Sequence, residues 1–332
     1  MNSQITPQQH PDAQFAVNTM RDDEIDLREL FSVIWQGKWL IAGVTLVFAV
    51  ASVVIALMLP NIYKSEALLA PASEEQGAGG LAGLASQFGG LASMAGINLG
   101  GKGGTDKTQL AIEVLKSRQF IGDFIEKHQI LPELMAVDKW NMTDNALSFE
   151  PDIYNSQSKT WVRKVNPPFQ PKPSLQEAHK EFLKIFNVNK DKESGMVTIS
   201  IEHQSPFVAK QWIDWLIADI NLAMKDRDVV EATRSTEFLN KQIELTNVAD
   251  IRTILYKLVE EQAKTIMFAE VRDEYVFKTI DPAFVPEEKA KPKRALICVM
   301  GTMLGCMLSV MMVLIRYFFL DRKLDREFKE KK

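Results

Sequence analysis

Asp281-Pro-Ala-Phe-Val-Pro-Glu-Glu-Lys-Ala-Lys-Pro-Lys-Arg294 runs directly into an uncharged apolar block, residues 295–315. As a helix that block is about 31 Å long, enough to cross a bilayer's hydrocarbon core of about 30 Å. It reads as a transmembrane helix. Gly301, Gly305 and Ser309 recur every four residues along it and lay small side chains on one face. Glycine is common in membrane helices. A small-xxx-small strip also lets helix backbones approach closely in lipid, so this one is expected to serve helix packing and oligomerisation. Upstream, Pro282, Pro286 and Pro292 cannot all sit inside a helix. They predict a stiff, extended membrane-approach segment.

A second uncharged run, residues 40–59, lies near the other end, preceded by Trp35, Lys38 and Trp39 as interfacial anchors. The long polar stretch before it does not suit a cleavable signal peptide, so an uncleaved anchor is expected. Ten basic residues flank the two spans on the terminal sides: Arg21, Arg28 and Lys38, then Arg316, Arg322, Lys323, Arg326, Lys329, Lys331 and Lys332. They outnumber Lys289, Lys291, Lys293 and Arg294 on the other side. The positive-inside rule then predicts a two-pass protein of the bacterial inner membrane with both termini cytoplasmic and the bulk periplasmic.

Charged residues make up 25% of the chain, so a sizeable soluble domain with its own core is expected. The net charge of -4 and the lack of a basic patch interleaved with aromatics argue against nucleic-acid binding. Cys298 and Cys306 both fall inside the second span, roughly 12 Å apart on one helix and too far for a disulfide. No cofactor or metal set is read. His10, His128, His179 and His203 are scattered without ligand spacing, and no Gly-x-Ser-x-Gly occurs.

Ahead of the first span, residues 1–23 read as polar and disordered, and Ile25, Leu27, Leu30, Phe31 and Ile34 share a face and predict a short amphipathic helix at the membrane surface. Residues 62–69 read as a strand leaving the membrane. Residues 77–104 hold eleven of the 17 glycines, with Leu81, Leu84, Phe88, Leu91 and Ala95 on one potential face. This apolar, glycine-rich loop reads as a contact surface for membrane, partner or neighbouring subunit in preference to a linker. Lys102-Gly-Gly-Thr-Asp-Lys-Thr108 imitates a phosphate-binding loop, but Asp106 replaces a required glycine and opposes phosphate. Nucleotide binding is rejected.

Residues 105–129 then show helical spacing ended by Pro132, and residues 141–174 read as an irregular proline-rich connection with Trp161 as a packing anchor. Asn141-Met-Thr143 is read as a chance glycosylation match. A short helix over 175–186 and a hairpin from 188–190 and 197–202 follow. Ser205-Pro206 supplies a helix cap and a first-turn proline, after which neither proline nor glycine occurs through residue 270. A rod of that length would reach about 97 Å. Its charged middle, 225–234, suits a projecting element, and Leu245-Thr-Asn-Val248 is the expected break. Residues 275–280 read as the strand returning to the membrane, opposite the one that left it.

The predicted fold class is therefore an α/β membrane protein, with two transmembrane helices flanking a periplasmic α/β base domain that carries a long projecting α-helical hairpin or rod. The expected divisions are 1–39 cytoplasmic, 40–59 first span, 60–204 base domain, 205–270 projection, 271–294 return strand and proline-rich approach, 295–315 second span and 316–332 basic cytoplasmic tail.

In this order and spacing the sequence resembles the Wzz-type chain-length determinants, also called polysaccharide co-polymerases. The resemblance rests on Ile25-Asp-Leu27 before the first span, His203-Gln-Ser-Pro206 opening the long helix, Asp281-Pro282 with the prolines that follow, and the glycine-bearing second span. It implies a non-enzymatic ring of about eight subunits that sets the modal length of O-antigen or related polysaccharide made by a Wzy-type polymerase, with lipid-linked polysaccharide as a further partner. No catalytic residue is implied. Longer relatives add a cytoplasmic tyrosine kinase; with the sequence ending twelve residues past Leu320, that activity is expected to be absent. The alternatives are a periplasmic sensor or an export adaptor, each acting through a separate cytoplasmic partner.

Overall fold

The structure, a computed structural model, describes residues 27–72 and 107–330. Residues 1–23, Ile25, the glycine-rich loop 77–104 with its apolar positions, Asp106, Lys331 and Lys332 lie outside the described residues. In chain order come α1 (Leu27–Gln36), α2 (Lys38–Met58), β1 (Tyr63–Pro71), α3 (Lys107–Lys116), α4 (Arg118–His128), α5 (Leu131–Met135), β2 (Val137–Asn141) and β3 (Ala146–Phe149). The remainder are β4 (Tyr154–Asn155), β5 (Thr160–Trp161), α6 (Leu175–Ile185), β6 (Phe186–Lys190), β7 (Val197–His203), α7 (Pro206–Leu245), α8 (Ala249–Val271), β8 (Phe277–Asp281) and α9 (Arg294–Glu330). They form two compact units, residues 59–293 and the two terminal segments 1–58 and 294–332.

The larger unit is built on a four-stranded antiparallel sheet in the order β6-β7-β1-β8. Alternation in β1 turns Ser65, Ala67 and Leu69 inward, the period-2 signature of a strand with one face in a core. The chain's way in, β1, and its way out, β8, are neighbours, pairing Leu69 with Thr279 and Pro71 with Phe277. Further down, the Ile62 N–H donates to the Lys291 carbonyl at 2.9 Å, and the Ala290 and Lys291 N–H groups donate back to the Ile62 carbonyl. The proline-bearing segment is thereby held against the start of β1, and the Ser65 hydroxyl donates to the Phe284 carbonyl at 2.7 Å.

Leu115, Ile121, Phe124 and Ile125 of α3 and α4, Phe182 of α6, and Trp212, Ile213, Leu216 and Ile220 of α7 pack with Leu69, Ile199 and Ile201 of the sheet in one core. At about 25 cal/mol per Å² of apolar surface, burial of this kind is the main term holding the unit together. Helix starts are specified locally. Ser174 and Glu177 form a reciprocal capping box at α6, and the Ser205 hydroxyl accepts the Val208 N–H at α7, with Pro206 in its first turn.

Asn221 is the polar member of this core. It is buried, its Oδ1 accepts the N–H groups of Val276 and Phe277 at 2.8 and 2.9 Å, and its Nδ2 donates to the carbonyls of Ile217 and Phe277 at 3.1 Å each. One side chain thus satisfies backbone groups at the start of β8, the edge strand of the sheet.

Helix α7 runs 40 residues, about 60 Å. Its first half faces the core, whereas beyond Met224 its buried residues are Ala232 and Ile243. The rod breaks after Leu245, as the sequence predicted, and α8 begins at Ala249 and packs back on α7. The Arg252 guanidinium donates to the Thr246 carbonyl at 2.7 Å and ties off the turn.

Two expectations need correction. Residues 105–129 do not form one helix: α3 stops at Lys116 and Ser117 caps a new helix, its hydroxyl accepting the Phe120 N–H. A serine that can cap does so where the core needs a change of direction. Pro132 lies in the first turn of α5 instead of ending a helix, and α4 closes at Gln129 in the left-handed conformation. Residues 141–174 are likewise not wholly irregular. They contain β3, paired with β2, and the small hairpin β4–β5, with Asn145 and Lys159 in positive-φ turn positions. Trp161 does pack, its ring 5.0 Å from that of Tyr154.

Candidate functional site

The sequence singled out a small-residue strip, and the structure shows what meets it within the terminal unit. Helices α2 and α9 are both long and apolar enough to cross a membrane. They pack lengthwise on each other. A Cβ added at Gly301 would lie 2.4 Å from the Ser52 Cβ, and one at Gly305 2.5 Å from the Phe48 Cβ. One turn further, the Ser309 and Thr45 hydroxyl oxygens are 3.5 Å apart. At the same seam Gly37, between α1 and α2, leaves room for Val313, 2.7 Å from where its Cβ would stand. Glycine is required at these crossings because backbone meets side chain with no space for a methyl group.

Hydroxyls in the seam are satisfied within their own helices. Ser52 donates to the Ala49 carbonyl at 2.8 Å and Ser309 to the Cys306 carbonyl at 2.7 Å. The face carrying Gly301, Gly305 and Ser309 is thus filled by the chain's own first apolar helix. The sequence could show that a helix would lie there, but not which one.

The three prolines are not equivalent. Pro286 is buried in the larger unit, Pro292 half-buried and Pro282 exposed. The segment carrying them is non-helical from residue 282 to 293, as their spacing required. Lys291 adds a salt bridge to Glu202 of β7 at 2.6 Å.

Each histidine among the described residues has a local role. His203 is buried between Trp212 and α5, with Nε2 donating to the Glu133 carbonyl at 3.0 Å and Nδ1 accepting the Ser205 N–H. These bonds fix a neutral ring, and burial holds its pKa below the ordinary value. Burial likewise pushes the Glu133 carboxyl up. His128 stacks on Trp215 at 4.1 Å and reaches Asp219 at 2.8 Å, where Lys127 also lands. His179 contacts the Lys116 carbonyl. Apart from His203, which opens the His203-Gln-Ser-Pro206 motif, the sequence marked these only as scattered histidines. His10 lies outside the described residues. Among the described residues no group of three or more histidine, cysteine or carboxylate side chains is placed to hold a metal ion.

Two apolar helices that pair lengthwise, separated in sequence by one large unit, define the class: a chain with an apolar helix near each end. Comparison with known families makes it more particular. Residues 23–128 match the chain length determinant protein (Wzz) model, and residues 239–318 match the model described as "G-rich domain on putative tyrosine kinase". Similarity to the chain length determinant model over residues 23–128 supports a chain-length determinant role.

Among solved structures the chain is similar to a full-length bacterial polysaccharide co-polymerase, at 12% identity and a TM-score of 0.34 over 89% of this chain and 99% of that one. It is also similar to a fragment of WzzB, a polysaccharide co-polymerase from Salmonella Typhimurium, at 11% identity and a TM-score of 0.25 over 70% and 100%. Comparison with curated proteins gives no match.

Proposed function

We propose that the chain is a non-enzymatic scaffold of the bacterial inner membrane that regulates the modal length of O-antigen or a related polysaccharide made by a Wzy-type polymerase. In this reading α2 and α9 span the membrane, both termini are cytoplasmic and residues 60–294 are periplasmic. Pro282, Pro286 and Pro292 form the approach to the second span. Copies assemble into a ring of about eight.

The observation that carries the reading is the α2–α9 pair combined with the chain length determinant domain at residues 23–128. Gly301, Gly305 and Ser309 contribute to assembly by fixing the helix pair that each copy brings to the ring. Direct contacts between copies then fall on other surfaces. The α7–α8 hairpin offers Val230, Phe238, Ile251, Tyr256, Met267 and Val271, all exposed. An exposed apolar series of this kind on paired helices marks an interaction surface.

The test is the lipopolysaccharide profile of a strain lacking the gene, with and without the chain restored. Loss of a modal length on deletion and its return on complementation is the expected result. An unchanged ladder in both strains would remove the polysaccharide reading and leave the sensor or export adaptor.

A further inference from the structure

We propose that the groove between α1, α2 and α9 holds one anionic phospholipid, its phosphate at Lys38 and one hydrocarbon chain along α2. The inference rests on the reading that α2 and α9 lie in a bilayer. The groove is open along its length, has a volume of about 530 Å³ and is lined by Ile34 and Trp35 of α1, Lys38, Ala42 and Ala49 of α2, and Cys306 of α9. That volume falls in the range of sites for small molecules.

Its two ends differ in chemistry. At one end the Lys38 ammonium sits 5.2 Å from the centroid of the Trp35 ring. Lys38 has no carboxylate partner among the described residues. From there the groove is apolar, lined along α2 by Ile41, Ala42 and Leu46 down to Ala49. Between Lys38 and Ala49 the helix advances about 16 Å, close to half of a hydrocarbon core of about 30 Å. The site is therefore one leaflet deep with a cation at its mouth. Those are the dimensions and charge order of a lipid, headgroup first.

Charge also argues against a helix of a second copy as occupant. The uncharged runs 40–59 and 295–315 bring no anion to Lys38 at that depth, whereas a lipid phosphate does. Arg316, exposed and one turn past the Val313 that packs on Gly37, adds a second cation at the same level.

The test uses the full chain, extracted in mild detergent and incubated with phosphatidylglycerol or with phosphatidylcholine of the same acyl chains, with retained lipid counted by native mass spectrometry. One phosphatidylglycerol per chain is expected, in preference to phosphatidylcholine. Lys38→Gln should weaken retention roughly fivefold, the worth of one basic side chain near an anionic headgroup. Ala42→Phe should displace both lipids by filling the groove. Lys289→Gln, a charge change in the other unit, should change nothing. Equal retention of the two lipids, or unaltered retention in Ala42→Phe, overturns the proposal. So does an Ala42→Phe variant that changes oligomeric state while keeping its lipid, since the groove would then be a protein contact. Recovery of the native chain in the aqueous fraction without detergent would instead sink the membrane reading itself.

Discussion

Replacing Asn221 with leucine keeps the branched shape of the side chain and removes all four of its hydrogen bonds. Ile217 keeps its helical bonding, so the loss concentrates on Val276 and Phe277, whose two N–H groups and one carbonyl lose the partner at 2.8, 2.9 and 3.1 Å. The site is 4% exposed, so water cannot take over without opening the core. A buried backbone group left unsatisfied costs about 1–3 kcal/mol, and three such groups, partly relieved by local relaxation, come to about 3–6 kcal/mol. For a unit of this size each kcal/mol is worth about 2–4 °C, so a fall in Tm on the order of 10 °C or more is expected. Thermal unfolding of the purified full chain followed by circular dichroism measures the total, and amide hydrogen exchange at Val276 and Phe277 shows where it arises. Asn189→Ala, at an exposed position of β6, is the comparison. A shift for Asn221→Leu no larger than for that control, or retained protection at both amides, would refute the claim that this side chain pins β8 to α7.

Gly305→Leu places a branched side chain where even a Cβ has 2.5 Å, so α2 and α9 must separate. A cysteine pair placed across the seam should cross-link in the native protein and fail to do so in the variant, and the modal polysaccharide length should be lost with it. His203 is neutral when folded, its pKa held by burial below the ordinary value of about 6.5, whereas the unfolded ring takes up a proton below that pH. Stability contributed at neutral pH is therefore lost as pH falls through 6.5 toward the lowered folded value, and His203→Gln should flatten that part of a stability profile measured by denaturant unfolding. Ser205→Ala removes the acceptor for the Val208 N–H and should cost about 1 kcal/mol, while Ser205→Asp should recover it. A Tm equal to native in Ser205→Ala would show that the cap contributes nothing.

Much of the fold was written in features with long sequence reach. The run free of proline and glycine after Pro206 left no other element than helix, and Thr246, Asn247 and Val248 stood out as its poorest stretch, which is where α7 ends and α8 begins. The hairpin β6–β7 and the return strand β8 were legible from alternation bounded by turn residues. What escaped was decided by tertiary packing. Ser117 looks like any helical serine until the core demands a corner, and strands as short as Tyr154–Asn155 carry too few residues for a period to register. Asn221 follows four apolar side chains that all face inward, and nothing local says whether an asparagine there points to water or to a strand 55 residues away. The glycine strip showed the need for a close neighbour, yet in sequence terms the chain's own first apolar helix and a helix from another copy are indistinguishable.

The clasp between Ile62 and Lys291 closes the larger unit into a loop whose feet stay together whatever happens above them. Whole turns could be inserted into or cut from α7 and α8 without respacing those feet, so the reach of the hairpin is free to drift while its footing is conserved. Hairpin length is thus an adjustable dimension of the larger unit, and the prolines at its base need not change when it does.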